Sequence, residues 1–164
     1  MLTTVQTPRL VLVPFSAERI ASAITDKRAL EAEIAAKIPD DWPGPDLVEA
    51  MPMLAAILAR WGALVIDVAD ATLVGDVGFK SAPSADGTIE IGYAIVRSRR
   101  RRGYATEAVR ALSSWALSLD IVTRVVAECE PDNVASMGVL EKAGFSRVKS
   151  DGPNVRFALE KGPR

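Results

Sequence analysis

Two periodicities divide the chain into strands and helices. Apolar and β-branched residues predict strands at 9–14, 63–69, 72–80, 88–96, 123–130, 145–148 and 155–159. Apolar residues at helical spacing predict helices at 16–25, 26–37, 46–60, 103–119 and 133–144, with a proline-rich loop at 39–45. From residue 88 onward a strand, a long helix, a strand and a helix follow one another. This order predicts a parallel strand pair within a mixed sheet, so the fold class is α/β (α+β).

The strand at 88–96 has two unlike faces. Strict alternation puts Ile89, Ile91, Tyr93 and Ile95 on one face and Glu90, Gly92 and Ala94 on the other. A carboxylate flanked by two small residues predicts open space on that second face.

Length and composition narrow the function classes. The chain has 164 residues, 49% of them hydrophobic, which is enough for one domain over residues 1–164 with a buried core. It contains no long uncharged apolar run and no signal-peptide pattern at its start, so we expect no membrane span and a cytoplasmic location. One cysteine, Cys129, and no histidine exclude an internal disulfide, Ser-His-Asp and Cys-His catalysis and the common histidine metal sites. We therefore expect no metal, and acid-base chemistry falls to carboxylates, hydroxyls, lysine, the thiol or water.

Positive charge is concentrated between the strand at 88–96 and the helix at 103–119. Five of the six residues 97–102 are arginine, and removing their charge from the net −1 leaves −6 for the rest of the chain. The first turn of a helix has unpaired N–H groups and a dipole that favours an anion, and the small Gly103 and Ala105 let a phosphate approach. The P-loop and G-x-G-x-x-G patterns are absent. The segment predicts a phosphate-binding turn, the alternatives being a solvated charge run or a nucleic-acid patch.

The turn contains the pattern Arg100-x-x-Gly103-x-Ala105. It resembles the acetyl-CoA signature of the GNAT (GCN5-related N-acetyltransferase) superfamily, which is Gln or Arg, two residues, Gly, one residue, then Gly or Ala. Further segments are similar to the branch that acetylates ribosomal-protein N-termini: Thr7-Pro8-Arg9-Leu10-Val11-Leu12, Ile91-Gly92-Tyr93, Arg102-Gly103-Tyr104-Ala105-Thr106-Glu107-Ala108, Asn133-Val134-Ala135-Ser136 and Leu140-Glu141-Lys142-Ala143-Gly144-Phe145. The branch also contains acetylases of antibiotics, amino acids and other amines, so the resemblance specifies the donor better than the acceptor.

The resemblance implies a fold and a cofactor site. The fold would be a mixed, mostly antiparallel sheet of six or seven strands with helices on both faces and a central strand pair that splays apart. The pantetheine arm of acetyl-CoA would lie in that gap, and the first turn of the long helix would hold the pyrophosphate. The residues that this assigns to the cofactor are Ile95, Val96, Arg97, Arg100, Arg101, Arg102, Gly103, Tyr104, Ala105, Thr106 and Asn133.

Acetyl transfer to an amine needs a base, because a free alkyl amine near pH 7 is mostly protonated. Glu90 is our first candidate, and Glu128, Glu130 or a water molecule are alternatives. Many members of the superfamily protonate the departing thiolate with a tyrosine at the position that Leu140 occupies here, so that role cannot be transferred. In the resembled branch a serine three residues after the asparagine has this role, and Ser136 matches it.

We therefore expect an acetyl-CoA-dependent N-acetyltransferase that acts on a primary amine, either a protein N-terminus or a small molecule, by direct attack in a ternary complex. A non-catalytic acyl-CoA-binding module is the alternative. Net acidity outside the arginine run favours a cationic acceptor. We expect no nucleic-acid partner, because aromatic residues near the run are sparse, and no membrane partner; a homodimer is a further hypothesis.

Overall fold

The computed structural model describes residues 2–162; the remaining ends of the predicted domain, residues 1 and 163–164, lie outside the described residues. The strands are β1 Val5–Gln6, β2 Leu10–Pro14, β3 Gly62–Asp67, β4 Thr72–Phe79, β5 Thr88–Ile95, β6 Arg124–Cys129, β7 Ser146–Val148 and β8 Val155–Glu160. The helices are α1 Ala17–Thr25, α2 Lys27–Ile34, α3 Pro45–Trp61, α4 Tyr104–Ser118 and α5 Val134–Ala143, with a 3₁₀ turn at Arg97–Arg99.

All eight strands form one mixed sheet in the order β1-β2-β3-β4-β5-β6-β8-β7. Every neighbouring pair is antiparallel except β5 and β6, which are parallel, as the order of elements predicts. The sheet has more strands than the six or seven that the resemblance implies. The two-residue β1 was not predicted, because its pairing with Val11 and Leu12 is tertiary and its own sequence is too short to show a period.

The central strand pair is joined only at its beginning. Thr88, Ile89 and Glu90 pair with Arg124, Val125 and Val126, and no further pairs follow. Beyond them β5 stays bonded to β4 as far as Ile95, and β6 stays bonded to β8 as far as Cys129. A gap therefore opens toward the carboxyl ends of β5 and β6, which confirms the predicted splay.

Helices cover both faces of the sheet, and each face has its own core. On the α4–α5 face the strands contribute buried side chains that pack with those helices, namely Leu10, Leu12, Val65, Val77, Ile89, Ile91 and Val125. On the α1–α3 face the buried side chains include Phe15, Ile20, Leu30, Trp42, Met51, Leu58, Leu64 and Leu73. The alternation that we predicted for β5 agrees with this division, since its isoleucines face α4 and α5.

Local sequence signals set the helix ends. Ser16, Asp26 and Asn133 each cap a helix by accepting a hydrogen bond from a backbone N–H of the first turn. Gly144 ends α5 in the left-handed conformation, with φ at 100°. Pro52 lies inside α3, which runs from Pro45 to Trp61.

Candidate functional site

The predicted phosphate-binding turn lies at the mouth of the gap. Gly103 precedes α4 with φ at 80°, and Arg101 also has a positive φ of 60°. No side chain caps α4, so the N–H groups of its first turn remain available to an anion. An uncapped helix start of this kind can bind an anion such as a pyrophosphate.

The arginines of the run differ in their surroundings. Arg99 pairs with Asp70 (2.6 Å) and Asp67 (3.5 Å) in the β3–β4 hairpin, so it anchors the loop. The Nε of Arg100 donates to the carbonyl of Ile95 at 2.9 Å. Within residues 2–162 the guanidinium groups of Arg101 and Arg102 are exposed and make no ion pair. These two side chains, together with that of the exposed Arg97, are therefore available to a phosphate.

An N-terminal segment fixes the start of α4 from the other side. Glu107 accepts hydrogen bonds from Thr7 Oγ1 (2.6 Å), the Arg9 backbone N–H (2.9 Å) and Arg9 Nε (2.7 Å). Burial raises the pKa of Glu107, but these bonds outweigh it and hold the pKa below its usual value. Arg9 also donates to the carbonyl of Arg102 at 2.8 Å. The role of Glu107 is thus to position the turn.

Several predicted cofactor residues make contacts within the protein. The hydroxyl of Tyr104 donates to the buried Asp67, so only its backbone faces the turn. Val96 is buried, and its N–H donates to the carbonyl of Val74 at 2.9 Å. The carbonyl of Ile95 has one lone pair left beside its bond from Arg100. Ala105 and Thr106 are half-buried in the first turn of α4, and Arg97 is exposed with its backbone N–H donating to Asp41 at 3.0 Å.

At the inner end of the gap a tyrosine that we did not predict meets Ser136. The hydroxyl of Tyr93 lies 2.8 Å from Ser136 Oγ, across the space between β5 and α5. Burial raises the pKa of Tyr93, so its hydroxyl holds its proton. Asn133, predicted as a cofactor contact, uses its side-chain oxygen to cap Ser136 N–H at 3.0 Å. Sequence alternation grouped Tyr93 with three isoleucines, which hid its polar end.

The predicted base candidates are placed less favourably. Glu90 forms an ion pair with Lys80 at 2.5 Å and lies where β5 and β6 are still paired, at the closed end of the gap. Glu128 leans toward β8, where its carboxylate is 3.8 Å from Arg156. Glu130 is exposed just beyond the end of β6.

A carboxylate that the sequence analysis missed lies on the α1–α3 face of the sheet, the face that Glu90 also occupies. Asp76, in the middle of β4, accepts a hydrogen bond from the indole Nε1 of Trp42 at 2.9 Å. Burial raises the pKa of Asp76 to about 6, although the bond from Trp42 lowers it. The sequence signal that could have identified Asp76 is a charged residue within an otherwise apolar strand. Trp42 is 2% exposed, so it contributes only its N–H to this face.

Other features of the described residues do not suggest a second centre. Within residues 2–162 no group of three or more Cys, Asp or Glu side chains could hold a metal ion. A groove of about 850 Å³ lies at the opposite end of β5, between the end of α3 and the loop at 82–87. It is remote from the gap, and we assign it no chemistry. No helix in the described part of the chain is long and apolar enough to cross a membrane.

The sequence of the chain is similar to those of known acetyltransferases. Residues 9–146 match the family described as acetyltransferase (GNAT) domain. The chain is 37% identical over 134 residues to the uncharacterized N-acetyltransferase YjdG of Bacillus subtilis (strain 168), a match that covers 76% of this chain and 78% of that one.

Two solved structures illustrate the shared fold. A ribosomal-protein-S5-alanine acetyltransferase from Vibrio fischeri aligns with a TM-score of 0.66 at 15% identity, over 98% of this chain and 97% of that one. The microcin C7 self-immunity acetyltransferase MccE, solved with acetyl-CoA and AMP, aligns with a TM-score of 0.63 at 15% identity, over 94% and 93%. At these identities the likeness concerns the fold alone.

Proposed function

Because the chain belongs to the GNAT acetyltransferase family, we propose that it transfers the acetyl group of acetyl-CoA to a primary amine by direct attack in a ternary complex. One observation carries the proposal, which is that the gap between β5 and β6 opens beside an uncapped helix start. The pyrophosphate binds the first turn of α4 with Arg101 and Arg102. The pantetheine arm runs into the gap along β5. We propose one domain over residues 1–164 in the cytoplasm, and a homodimer as its assembly.

The departing thiolate takes its proton from the Tyr93–Ser136 pair. Ser136 is the predicted acid, and the hydroxyl of Tyr93 at 2.8 Å can return a proton to it. Both hydroxyls lie at the inner end of the gap, where the sulfur of a cofactor held at the turn would lie. The pair supplies what Leu140, which is 1% exposed in the core, cannot.

The amine approaches from the α1–α3 face, where Ala94 is exposed and Gly92 is half-buried. This supports the predicted open space beside Glu90, whose own carboxylate is already bound by Lys80. The acidity of the chain outside the arginine run favours a cationic acceptor, such as a protein N-terminus, a polyamine or an aminoglycoside.

Thiol release from acetyl-CoA tests the proposal, with a peptide of free N-terminus, a polyamine and an aminoglycoside as acceptors. We expect turnover with at least one amine, and about tenfold weaker acetyl-CoA binding in the double variant Arg101→Ala/Arg102→Ala, since two exposed charge contacts are worth about 1.4 kcal/mol together. The control Arg28→Ala removes an exposed arginine of α2 and should bind normally. Tight binding without turnover on any amine would favour the non-catalytic module.

A further inference from the structure

We propose that Asp76 is the group that takes the proton from the acceptor amine. The assignment rests on the proposed function and deepens it by naming the base. Sequence reasoning offered three glutamates or water for this role, and each glutamate is paired elsewhere or lies at the rim. Four observations support Asp76 instead: its position in the sheet, the contacts that hold its carboxylate, the absence of a counter-ion among the described residues, and its raised pKa.

The place of Asp76 is set by strand register. Asp76 pairs with Ala94 across β4 and β5, so their side chains stand side by side on the α1–α3 face, with Cβ atoms about 5 Å apart. Ala94 belongs to the part of β5 that has left β6, at the edge of the gap. The methyl group of Ala94 is exposed, which leaves room above it for an incoming amine. A nucleophile entering the gap beside Ala94 therefore comes within reach of Asp76, directly or through one water molecule.

Two neighbours fix the carboxylate of Asp76. A Cβ atom on Gly75 would lie 2.0 Å from the carbonyl oxygen of Ala94, so only glycine allows β4 to approach β5 this closely. The buried Trp42 then holds Oδ2 of Asp76 through its indole N–H at 2.9 Å. Among residues 2–162 no side chain bonds Oδ1, which stays available to accept a proton.

The charge environment distinguishes Asp76 from the glutamates. In the described part of the chain no lysine or arginine lies within 4.0 Å of its carboxylate, whereas Glu90 and Glu128 both have such partners. Burial raises the pKa of Asp76 to about 6, so near pH 7 the group is mostly ionised and still basic enough to accept a proton. The other charged groups on the elements packed around it are exposed or already paired: Asp41, Asp46, Glu49, Arg60, and Lys80 with Glu90.

The proton balance of the step is closed. The acceptor enters as an ammonium and gives one proton to Oδ1 of Asp76, which later passes it to solvent. The neutral nitrogen attacks the thioester carbonyl and forms the C–N bond of a tetrahedral intermediate. The nitrogen then loses its second proton to water, and the C–S bond breaks as the intermediate collapses. The thiolate gains a proton from the Tyr93–Ser136 pair, which takes one back from water.

If Asp76 had only a structural role, that role would be to accept the hydrogen bond from the indole N–H of Trp42. Asp76→Asn separates the two roles, because its amide oxygen can still accept that bond but cannot take a proton. We expect kcat/KM for the amine to fall about 100-fold or more. Acetyl-CoA binding should stay within about twofold of wild type. The acidic limb of the pH profile, with its midpoint near 6 in the wild type, should disappear.

Two further variants make the test decisive. Trp42→Phe removes the bond that lowers the pKa of Asp76, so the acidic midpoint should move upward. Glu90→Gln applies the same change to the competing carboxylate, and it should retain the acidic limb. Glu160→Gln, on the exposed end of β8, is the neutral control.

The outcomes separate the two claims. An active wild type with Asp76→Asn within about threefold of it overturns the assignment alone. Loss of the acidic limb in Glu90→Gln but not in Asp76→Asn also overturns it. If Asp76→Asn does not fold, an unchanged acidic midpoint in Trp42→Phe overturns it. A wild type that binds acetyl-CoA and acetylates no amine overturns the proposed function, and this assignment falls with it.

Discussion

The hydrogen bonds that Glu107 accepts from Thr7 and Arg9 offer a direct test of the structure. Glu107→Ala removes one acceptor from three donors, at 2.6, 2.9 and 2.7 Å. A hydrogen bond to a charged group contributes about 1.5–3 kcal/mol, and the half-exposed Arg9 loses part of that to water. We therefore expect the free energy of unfolding to fall by about 3 kcal/mol, equivalent to roughly 6–12 °C in Tm for a chain of this size.

Urea unfolding at a series of pH values measures both the size and the origin of this loss. The folded pKa of Glu107 lies below its ordinary 4.5, so its contribution is complete above that pH and is lost as the pH falls through the folded value. The difference between wild type and Glu107→Ala should therefore narrow progressively below about pH 4.5.

The control is Glu160→Ala, which breaks a 2.6 Å pair with Arg124 between two largely exposed side chains. Such a pair contributes about 0.5 kcal/mol or less. A Glu107→Ala variant that costs no more than this control would refute the view that the N-terminal segment braces the phosphate-binding turn.

Two further predictions concern the hydroxyl pair at the gap and a glycine of α5. Tyr93→Phe and Ser136→Ala should each lower kcat for thiol release about 10- to 100-fold, with little change in acetyl-CoA affinity. Because the two hydroxyls act as one unit, the double variant should be no slower than the slower single variant. Additive losses in the double variant would show that the hydroxyls act separately. Gly138→Ala should stabilise the free protein by about 1 kcal/mol in thermal unfolding, since no atom lies within 4 Å of the added Cβ in α5, and a destabilised variant would contradict that open space.

Much of the fold was accessible from the sequence because its signals are local. The alternation of residues 88–96 predicted the two faces of β5, and Ser16, Asn133 and Gly144 marked helix ends that the structure confirms. The gap was implied by the resemblance, and its cause in the three-residue pairing of β5 with β6 could be seen only in the structure.

The details of the site depend on contacts between residues far apart in sequence. Trp42 and Asp76 are 34 positions apart, and Tyr93 and Ser136 are 43 apart, so neither pair leaves a local pattern. Arg99 resembles its neighbours in sequence, yet its partners Asp67 and Asp70 in the β3–β4 hairpin make it an anchor. Spacing along the chain can therefore predict where a site lies, whereas side-chain pairs from distant segments become visible only in the structure.

The short junction between β5 and β6 has a mechanical consequence. Among residues 2–162, strands β1–β5 and β6–β8 form two half-sheets that share only the pairs from Thr88 to Glu90, so beyond Glu90 two strand edges face each other inside the molecule without pairing. A pantetheine arm carries amides of its own and can bond to such an edge as a strand would. In the proposed mode of binding, the donor molecule would complete the sheet and couple its halves, so its loss would remove a structural element as well as a reactant.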